Sequence, residues 1–281
     1  MAAKFLGQFL LERGTITSAQ LLAALDAQRA SNPLLGELAV HHRMLDAAQA
    51  RRINDRQRAE DRRFGDIALE MGLLDAGQLD VLLAAQKKDR KLFGQILVEQ
   101  GTLTADQLEA ELVAHRRDLD EANHALALGI AGHALADTAT SAIRVSNRLF
   151  PRLMGSQCQA SGIADDATLD ACDVTAHVRI EAGTESLLVG VGCPRATMQA
   201  MACALLSITP AQCDDELAVD ALGELVNVLM GYVVRDTLSD DASYRAYPPS
   251  TALTEGALAS RRSTLALSMA SQRGDFVLIV G

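Results

Sequence analysis

Glycines stand at Gly7, Gly36, Gly65 and Gly94, an unbroken spacing of 29 residues, and no other feature of the chain restricts its fold as strongly. Seven residues after each comes Gly14, Arg43, Gly72 or Gly101. Nine after comes Ile16, Leu45, Leu74 or Leu103, and thirteen after comes Gln20, Gln49, Gln78 or Gln107. Each unit closes with Gln28, Gln57, Gln86 or His115. Thr17, Asp46, Asp75 and Thr104 each precede their glutamine by three positions, the spacing at which the two side chains satisfy free amides at a helix start. Each unit therefore reads as a helical hairpin. Its short first helix ends at "ERG", "EMG" or "EQG", where glycine takes the left-handed conformation at little steric cost. Arg43 occupies that place in the second unit, so its turn is expected to be weaker or differently shaped. One hairpin cannot bury its own apolar face, so Leu10, Ile16, Leu21, Ala24 and Leu25 must pack hairpin on hairpin.

The Leu-Gly or Phe-Gly start, the seven-residue step and the closing glutamine resemble the MshEN family, the N-terminal domain of type II secretion and type IV pilus ATPases. The resemblance implies two all-α repeat pairs, residues 1–57 and 58–117, and cyclic di-GMP bound across a pair. The arginine that the family uses on the ligand, two positions before the glycine, is Phe5, Leu34 and Leu92 in three units and is kept only as Arg63. On this resemblance the ligand belongs to the third and fourth units, with Arg63 on a guanine edge or phosphate. Phe64, Gly65 and Gln86 would complete the first half of that site. The basic run Arg51, Arg52, Arg56, Arg58, Arg62 and Arg63 suits an anionic contact. The alternative is a solvated face near Glu60 and Asp61, with the repeats serving as scaffold or protein-docking surface.

Charge separates the halves. Beyond Asp118 there are 10 basic and 19 acidic residues, and no lysine follows Lys91. Tryptophan is absent and aromatics make up 3% of the chain, so platforms for stacking bases are scarce. An acidic half with few aromatics argues against a nucleic-acid partner. Cys158, Cys172, Cys193, Cys203 and Cys213 are odd in number and irregular in spacing, which reads as reduced thiols in a cytoplasmic protein. The start "MAAKFLGQFLLERG" lacks the pattern of a signal peptide. The apolar stretch "HALALGIAGHALA" is too short to span a bilayer, so no membrane insertion is expected. The histidines form no ligand spacing, and no metal site is expected.

From about Asp118 the period vanishes. Residues 118–133 read as a linker and residues 134–281 as an α+β domain. In "DVTAHVRIEAG", Val174, Ala176, Val178 and Ile180 alternate with Thr175, His177, Arg179 and Glu181, the pattern of a half-buried strand. "ESLLVGVGC" is its partner across a turn at Gly183, and "STLALSMAS" and "DFVLIVG" form a hairpin around "QRGD". Between these lies "DELAVDALGELVNVLMG". At 100° per residue Glu216, Asp220, Glu224, Asn227, Gly231 and Arg235 fall on one stripe, opposite Ala218, Leu222, Leu225, Val226, Leu229 and Val233. An otherwise apolar helix thus keeps one polar edge.

That helix resembles the D-x-x-x-E-x-x-N-x-x-x-G helix of the CheX/CheC family of chemotaxis phosphatases, and the order of the surrounding elements, the downstream prolines and Gly256 extend the likeness over most of residues 134–281. The resemblance implies a phosphatase acting on the aspartyl phosphate of a CheY-like response regulator, with Glu224 and Asn227 entering the regulator's active site. An amide can hold a water in line with phosphorus by accepting and donating hydrogen bonds, which suits Asn227. Glu224 would anchor to the regulator's lysine, Gly231 would allow close approach, and Asp220 would lie at the edge of the contact. The chain is then expected to need no cofactor of its own, the metal ion belonging to the regulator. Its expected partners are the phosphorylated regulator and, at the repeats, cyclic di-GMP or a secretion or pilus component. Homodimerisation stays open. The rival reading is a non-enzymatic adaptor that binds a response regulator without hydrolysis.

Overall fold

A computed structural model describes residues 4–60, 62–183, 185–237, 243–251 and 264–281, apart from the side chains at positions 58, 59, 89 and 185. Asp61 and Gly256 lie outside the described residues, as does the side chain of Arg58. The chain forms two compact units, Phe5–Arg116 and Arg117–Gly281.

In the first unit short and long helices alternate: α1 (Leu6–Glu12), α2 (Ser18–Ser31), α3 (Leu35–His41), α4 (Ala47–Glu60), α5 (Phe64–Glu70), α6 (Ala76–Asp89), α7 (Phe93–Glu99) and the first part of α8 (Ala105–Ile130). Each long helix opens with a reciprocal cap. Gln20 N–H donates to Thr17 at 3.3 Å, Gln49 to Asp46 at 2.7 Å, Gln78 to Asp75 at 2.8 Å and Gln107 to Thr104 at 3.2 Å, while every glutamine side chain accepts from the backbone of its capping residue. The periodic glycines have a packing cause. A Cβ at Gly7, Gly65 or Gly94 would lie within 2.9 Å of Leu21, Leu79 or Leu108, each in the long helix of the same hairpin, so glycine lets the two helices close on one another. In the second hairpin the equivalent residue is Ala50, and the ring of Phe64 fills the space over Gly36 instead.

The order of pairing differs from the expected one. Leu38, Ala39, Leu45 and Ile53 of the second hairpin share a buried cluster with Phe64, Ile67, Leu74 and Leu82 of the third. Phe9, Leu10, Ile16 and Ala24 of the first share theirs with Ile96, Leu97 and Leu103 of the fourth. Repeats therefore pair two with three and one with four, rather than as residues 1–57 and 58–117. The aromatic residues account for this. A flat ring fits over a residue without a side chain, and Phe64 reaches 3.0 Å from where a Cβ on Gly36 would stand, Phe93 3.4 Å from where one on Gly7 would. Asn32, which closes α2, and Lys91, just before α7, join the first and fourth hairpins with reciprocal side chain to backbone hydrogen bonds of 3.0 Å.

Arg43 also departs from expectation, because it takes the same left-handed conformation (φ +57°) as Gly14 (+68°), Gly72 (+63°) and Gly101 (+68°). Its N–H reaches Val40 O at 3.0 Å and the next N–H reaches Ala39 O at 2.9 Å, matching the bonds at Gly14 and Thr15. Those bonds, and burial of Leu45 two residues on, hold a conformation that the Cβ opposes. Residues 118–133 likewise prove mostly helical, not a linker of irregular chain. α8 continues through them to Ile130, and a left-handed Gly132 follows (φ +82°). The segment has no proline, an Arg117–Glu121 pair at 2.8 Å supports it one turn apart, and Ala122 and Ile130 are buried.

The second unit is α+β. Its further elements are α9 (Ala136–Met154), β1 (Cys158–Ile163), α10 (Asp166–Asp170), β2 (Val174–Ala182), β3 (Glu185–Cys193), α11 (Arg195–Leu206), a 3₁₀ turn at Pro210–Gln212, α12 (Asp215–Thr237), β4 (Arg245–Ala246), β5 (Leu265–Ser271) and β6 (Phe276–Val280). The strands form one antiparallel sheet in the order β1-β5-β6-β3-β2-β4. Alternation sends Ala176, Val178 and Ile180 of β2 and Val189 and Val191 of β3 into the core, where α9, α11 and α12 lie on them. Phe150 of α9 stacks on Phe276 of β6 with centroids 4.9 Å apart. By length and mean hydropathy (1.6 over its most apolar 18 residues) α12 meets the requirements of a membrane span, and 56% of that stretch is buried, where its apolar side forms part of the core.

Replacing Arg43 with glycine relieves a left-handed Cβ at the cost of a more flexible unfolded chain. The helical unit is expected to gain about 0.5–1 kcal/mol, read as a higher midpoint in chemical denaturation.

Candidate functional site

α12 is fixed at both ends and along one side. Asp214 caps its start, accepting from Leu217 N–H at 2.9 Å, and Asp215 and Glu216 place negative charge at the positive end of the helix dipole. Asp215 is itself held, by the guanidinium of Arg195 and by Gln199 Nε2 at 3.0 Å. Ala218, Leu222, Leu225, Val226, Leu229 and Val233 are each no more than 2% exposed, which sets the rotation of the helix about its axis. Gly223, also buried, lets Pro249 approach, and a Cβ there would stand 3.3 Å from the proline ring.

With that rotation set, Glu216, Asp220, Glu224, Asn227, Gly231 and Arg235 all face solvent. Glu224 and Asn227 are one turn apart on the same edge, and neither carries a hydrogen bond or ion pair among the described residues. A carboxylate and an amide held by a rigid helix, with their hydrogen-bonding capacity unspent, can be given whole to a partner. Asp220 lies one turn before Glu224. Gly231 lies one turn beyond Asn227, and among the described residues nothing outside its own helix backbone stands within 4 Å of where its Cβ would be.

Sequence reasoning missed what borders this edge. Tyr232 is half-buried on the flank that faces α9, and two guanidiniums lie on its ring, Arg235 at 4.2 Å and Arg148 of α9 at 5.2 Å from the centroid. Arg235 Nε also donates to Gly231 O at 3.4 Å. Next along, Asp236 accepts from Ser141 at 3.1 Å and pairs with Arg144 at 2.9 Å. The only sequence signal was Arg144, Arg148 and Arg152 at four-residue steps on the amphipathic helix before β1.

In the helical unit the residues named for cyclic di-GMP have separate surroundings. Phe64 and Gly65 are buried, the one over Gly36 and the other under Leu79. Gln86 donates to Pro33 O at 3.0 Å. Arg63 is the residue at which the chain enters α5. It is exposed, with no acidic partner among the described residues. Of the basic run, Arg56 and Arg62 both bind Glu60 and Glu70. Arg62 first and Arg56 second hold the Glu70 carboxyl below the usual range.

No family model matches the chain, and no curated protein matches it. Among solved structures it is similar to the chemotaxis protein CheX from Vibrio vulnificus, with 13% identity and a TM-score of 0.42 over 53% of this chain and 98% of that one. It is also similar to a chemotaxis protein CheX from Desulfovibrio desulfuricans, with 17% identity and a TM-score of 0.39 over 52% and 97%. A third is the CheX-CheY-BeF3-Mg complex from Borrelia burgdorferi, with 14% identity and a TM-score of 0.39 over 51% and 96%.

Because Glu224 and Asn227 hold nothing within the fold, Glu224→Ala and Asn227→Ala are expected to change unfolding free energy by less than about 0.5 kcal/mol. Leu225→Ala, between them in sequence but buried, should lose about 2–5 kcal/mol. Urea denaturation of the three variants separates the edge from the core.

Proposed function

We propose that the second unit hydrolyses the aspartyl phosphate of a CheY-like response regulator. The observation that carries this reading is the pairing of an unengaged Glu224 with an unengaged Asn227 on one exposed helical edge, in the D-x-x-x-E-x-x-N-x-x-x-G spacing. An acyl phosphate needs little covalent help, because its carboxylate is a good leaving group and the regulator's own metal ion neutralises the phosphoryl oxygens. What is missing is a water in line with the P–O bond. The Asn227 side chain accepts a hydrogen bond from that water through Oδ1 and donates through Nδ2 to a phosphoryl oxygen, which fixes the line of attack. As the water oxygen bonds to phosphorus, the P–O bond to aspartate breaks, the carboxylate departs, and the water's proton passes to phosphate or solvent. Glu224 pairs with a regulator lysine and sets the register of the two proteins. Gly231, by its missing side chain, admits the regulator's backbone at close range, and Asp220 lies at the margin of the contact.

For the helical unit we propose cyclic di-GMP as ligand, with Arg63 as the group that reaches it. The reading is supported by an exposed guanidinium without an acidic partner among the described residues, on a hairpin that resembles the MshEN motif. As the third hairpin packs on the second, the ligand would lie against that pair of hairpins.

Asn227→Ala should slow single-turnover hydrolysis of a saturated phosphorylated regulator about 10²-fold, the usual cost of losing one positioning group. Glu224→Ala should weaken binding as well as turnover. Unchanged hydrolysis in the Asn227 variant leaves only the adaptor reading.

Calorimetry with cyclic di-GMP should show Arg63→Ala losing about 1.5–3 kcal/mol of binding, the scale of one charge-assisted hydrogen bond. Absence of heat with the unaltered protein at millimolar ligand would assign the repeats to scaffolding or protein contact.

A further inference from the structure

The exposed edge of α12 has two electrical ends. Glu216, Asp220 and Glu224 occupy its first part, Asn227 its middle, and Arg235 its last turn. At 1.5 Å per residue the whole edge is about 28 Å long, with Arg235 about 12 Å beyond Asn227. The basic end is wider than one helix. Tyr232 brings Arg148 of α9 beside Arg235, both guanidiniums within 5.2 Å of one ring centroid.

Two cations gathered on one ring repel each other. The aromatic face offsets part of that repulsion, and among the described residues neither arginine has an acidic partner. The neighbouring Arg144 differs, being held by Asp236. An unneutralised pair of guanidiniums is also unexpected in a half of the chain with 10 basic and 19 acidic residues. The ring restricts both side chains before any partner arrives, so less side-chain entropy is lost on binding. Arginine and tyrosine are the residue types that most often dominate an interface.

We infer that Arg148, Tyr232 and Arg235 form a second docking point for the response regulator, engaging carboxylates on the rim of its phosphorylation site. This rests on the function proposed above. The partner's chemistry follows from its reaction: a site that holds a divalent cation beside a phosphoaspartate must supply oxygen ligands, chiefly carboxylates, so its surroundings are acidic. An edge with acid at one end and paired cations at the other accepts such a surface in one orientation only. Turned end for end, Glu224 would meet the carboxylates and the arginines would meet the lysine. The tyrosine and its two arginines are thus positioning residues that place Asn227 over the phosphorus.

The test uses the full chain and a panel of single-domain response regulators, activated with beryllium fluoride for binding and phosphorylated with acetyl phosphate for turnover. Arg148→Glu combined with Arg235→Glu should weaken binding at least tenfold at low salt, by a margin that shrinks as salt rises. KM should rise in step while turnover of the saturated complex falls less than twofold. Tyr232→Phe, which keeps the ring face, should bind as the unaltered protein does. Arg29→Glu, an equal kind of charge change on the helical unit, should have no effect. Circular dichroism checks that the double variant is folded, and if it is not, the single exposed change Arg235→Gln carries the measurement, with at least a threefold weakening expected. Tight binding by a folded charge-reversed protein overturns the second docking point and leaves the phosphatase reading intact. Binding without hydrolysis by the unaltered protein removes the phosphatase reading, while the affinities still decide the docking point. No binding of any regulator in the panel overturns both.

Discussion

The burial of one side of α12 governs the second unit. Ala218, Leu222, Leu225, Val226, Leu229 and Val233 fill the space between the sheet and the helices α9 and α11, and these side chains fix the helix's rotation about its axis. Rotation is what makes the opposite edge useful. A turn of 100° would carry Asn227 to a flank and bring a core position to the surface. The apolar residues are therefore part of the site's accuracy, although none reaches a partner. Asp214 and the bonds to Asp215 secure the helix along its axis in the same way.

In the helical unit the ruling constraint is close approach. Each hairpin closes because a glycine at the start of the short helix admits a side chain that a Cβ would exclude, and in three of the four cases that side chain is the leucine fourteen residues on. The exception decides the architecture. Where Ala50 leaves the space over Gly36 empty, Phe64 enters from another hairpin, so a local vacancy becomes a tertiary contact.

Much of this could be read in the sequence because it is local or periodic. The capping boxes need residues three apart, the strands β2 and β3 show plain alternation, and the polar edge of α12 follows from helical geometry alone. The rest required information that lies far apart along the chain. Every hairpin carries the same period, so the period cannot say which pairs with which; that depends on two phenylalanine rings over glycines 28 and 86 residues away. Arg43 contradicts its intrinsic preference because the turn's hydrogen bonds and the burial of Leu45 outweigh it. The Arg148–Tyr232 contact joins residues 84 apart on helices whose adjacency no local pattern reports.

The pairing of hairpins has an evolutionary consequence. In an open solenoid each unit touches only its neighbours, so units can be gained or lost one at a time and the array lengthens or shortens. Here the first hairpin is covered by the fourth, Phe9 and Leu10 sharing a buried cluster with Ile96 and Leu97, and the second is covered by the third. Deleting any one unit strands its counterpart with an uncovered apolar face, and adding one leaves the newcomer without a mate. Such a domain grows by pairs of hairpins. Its first hairpin is also the last to be completed during synthesis, since it waits for nearly ninety residues of chain to emerge before its apolar side is covered.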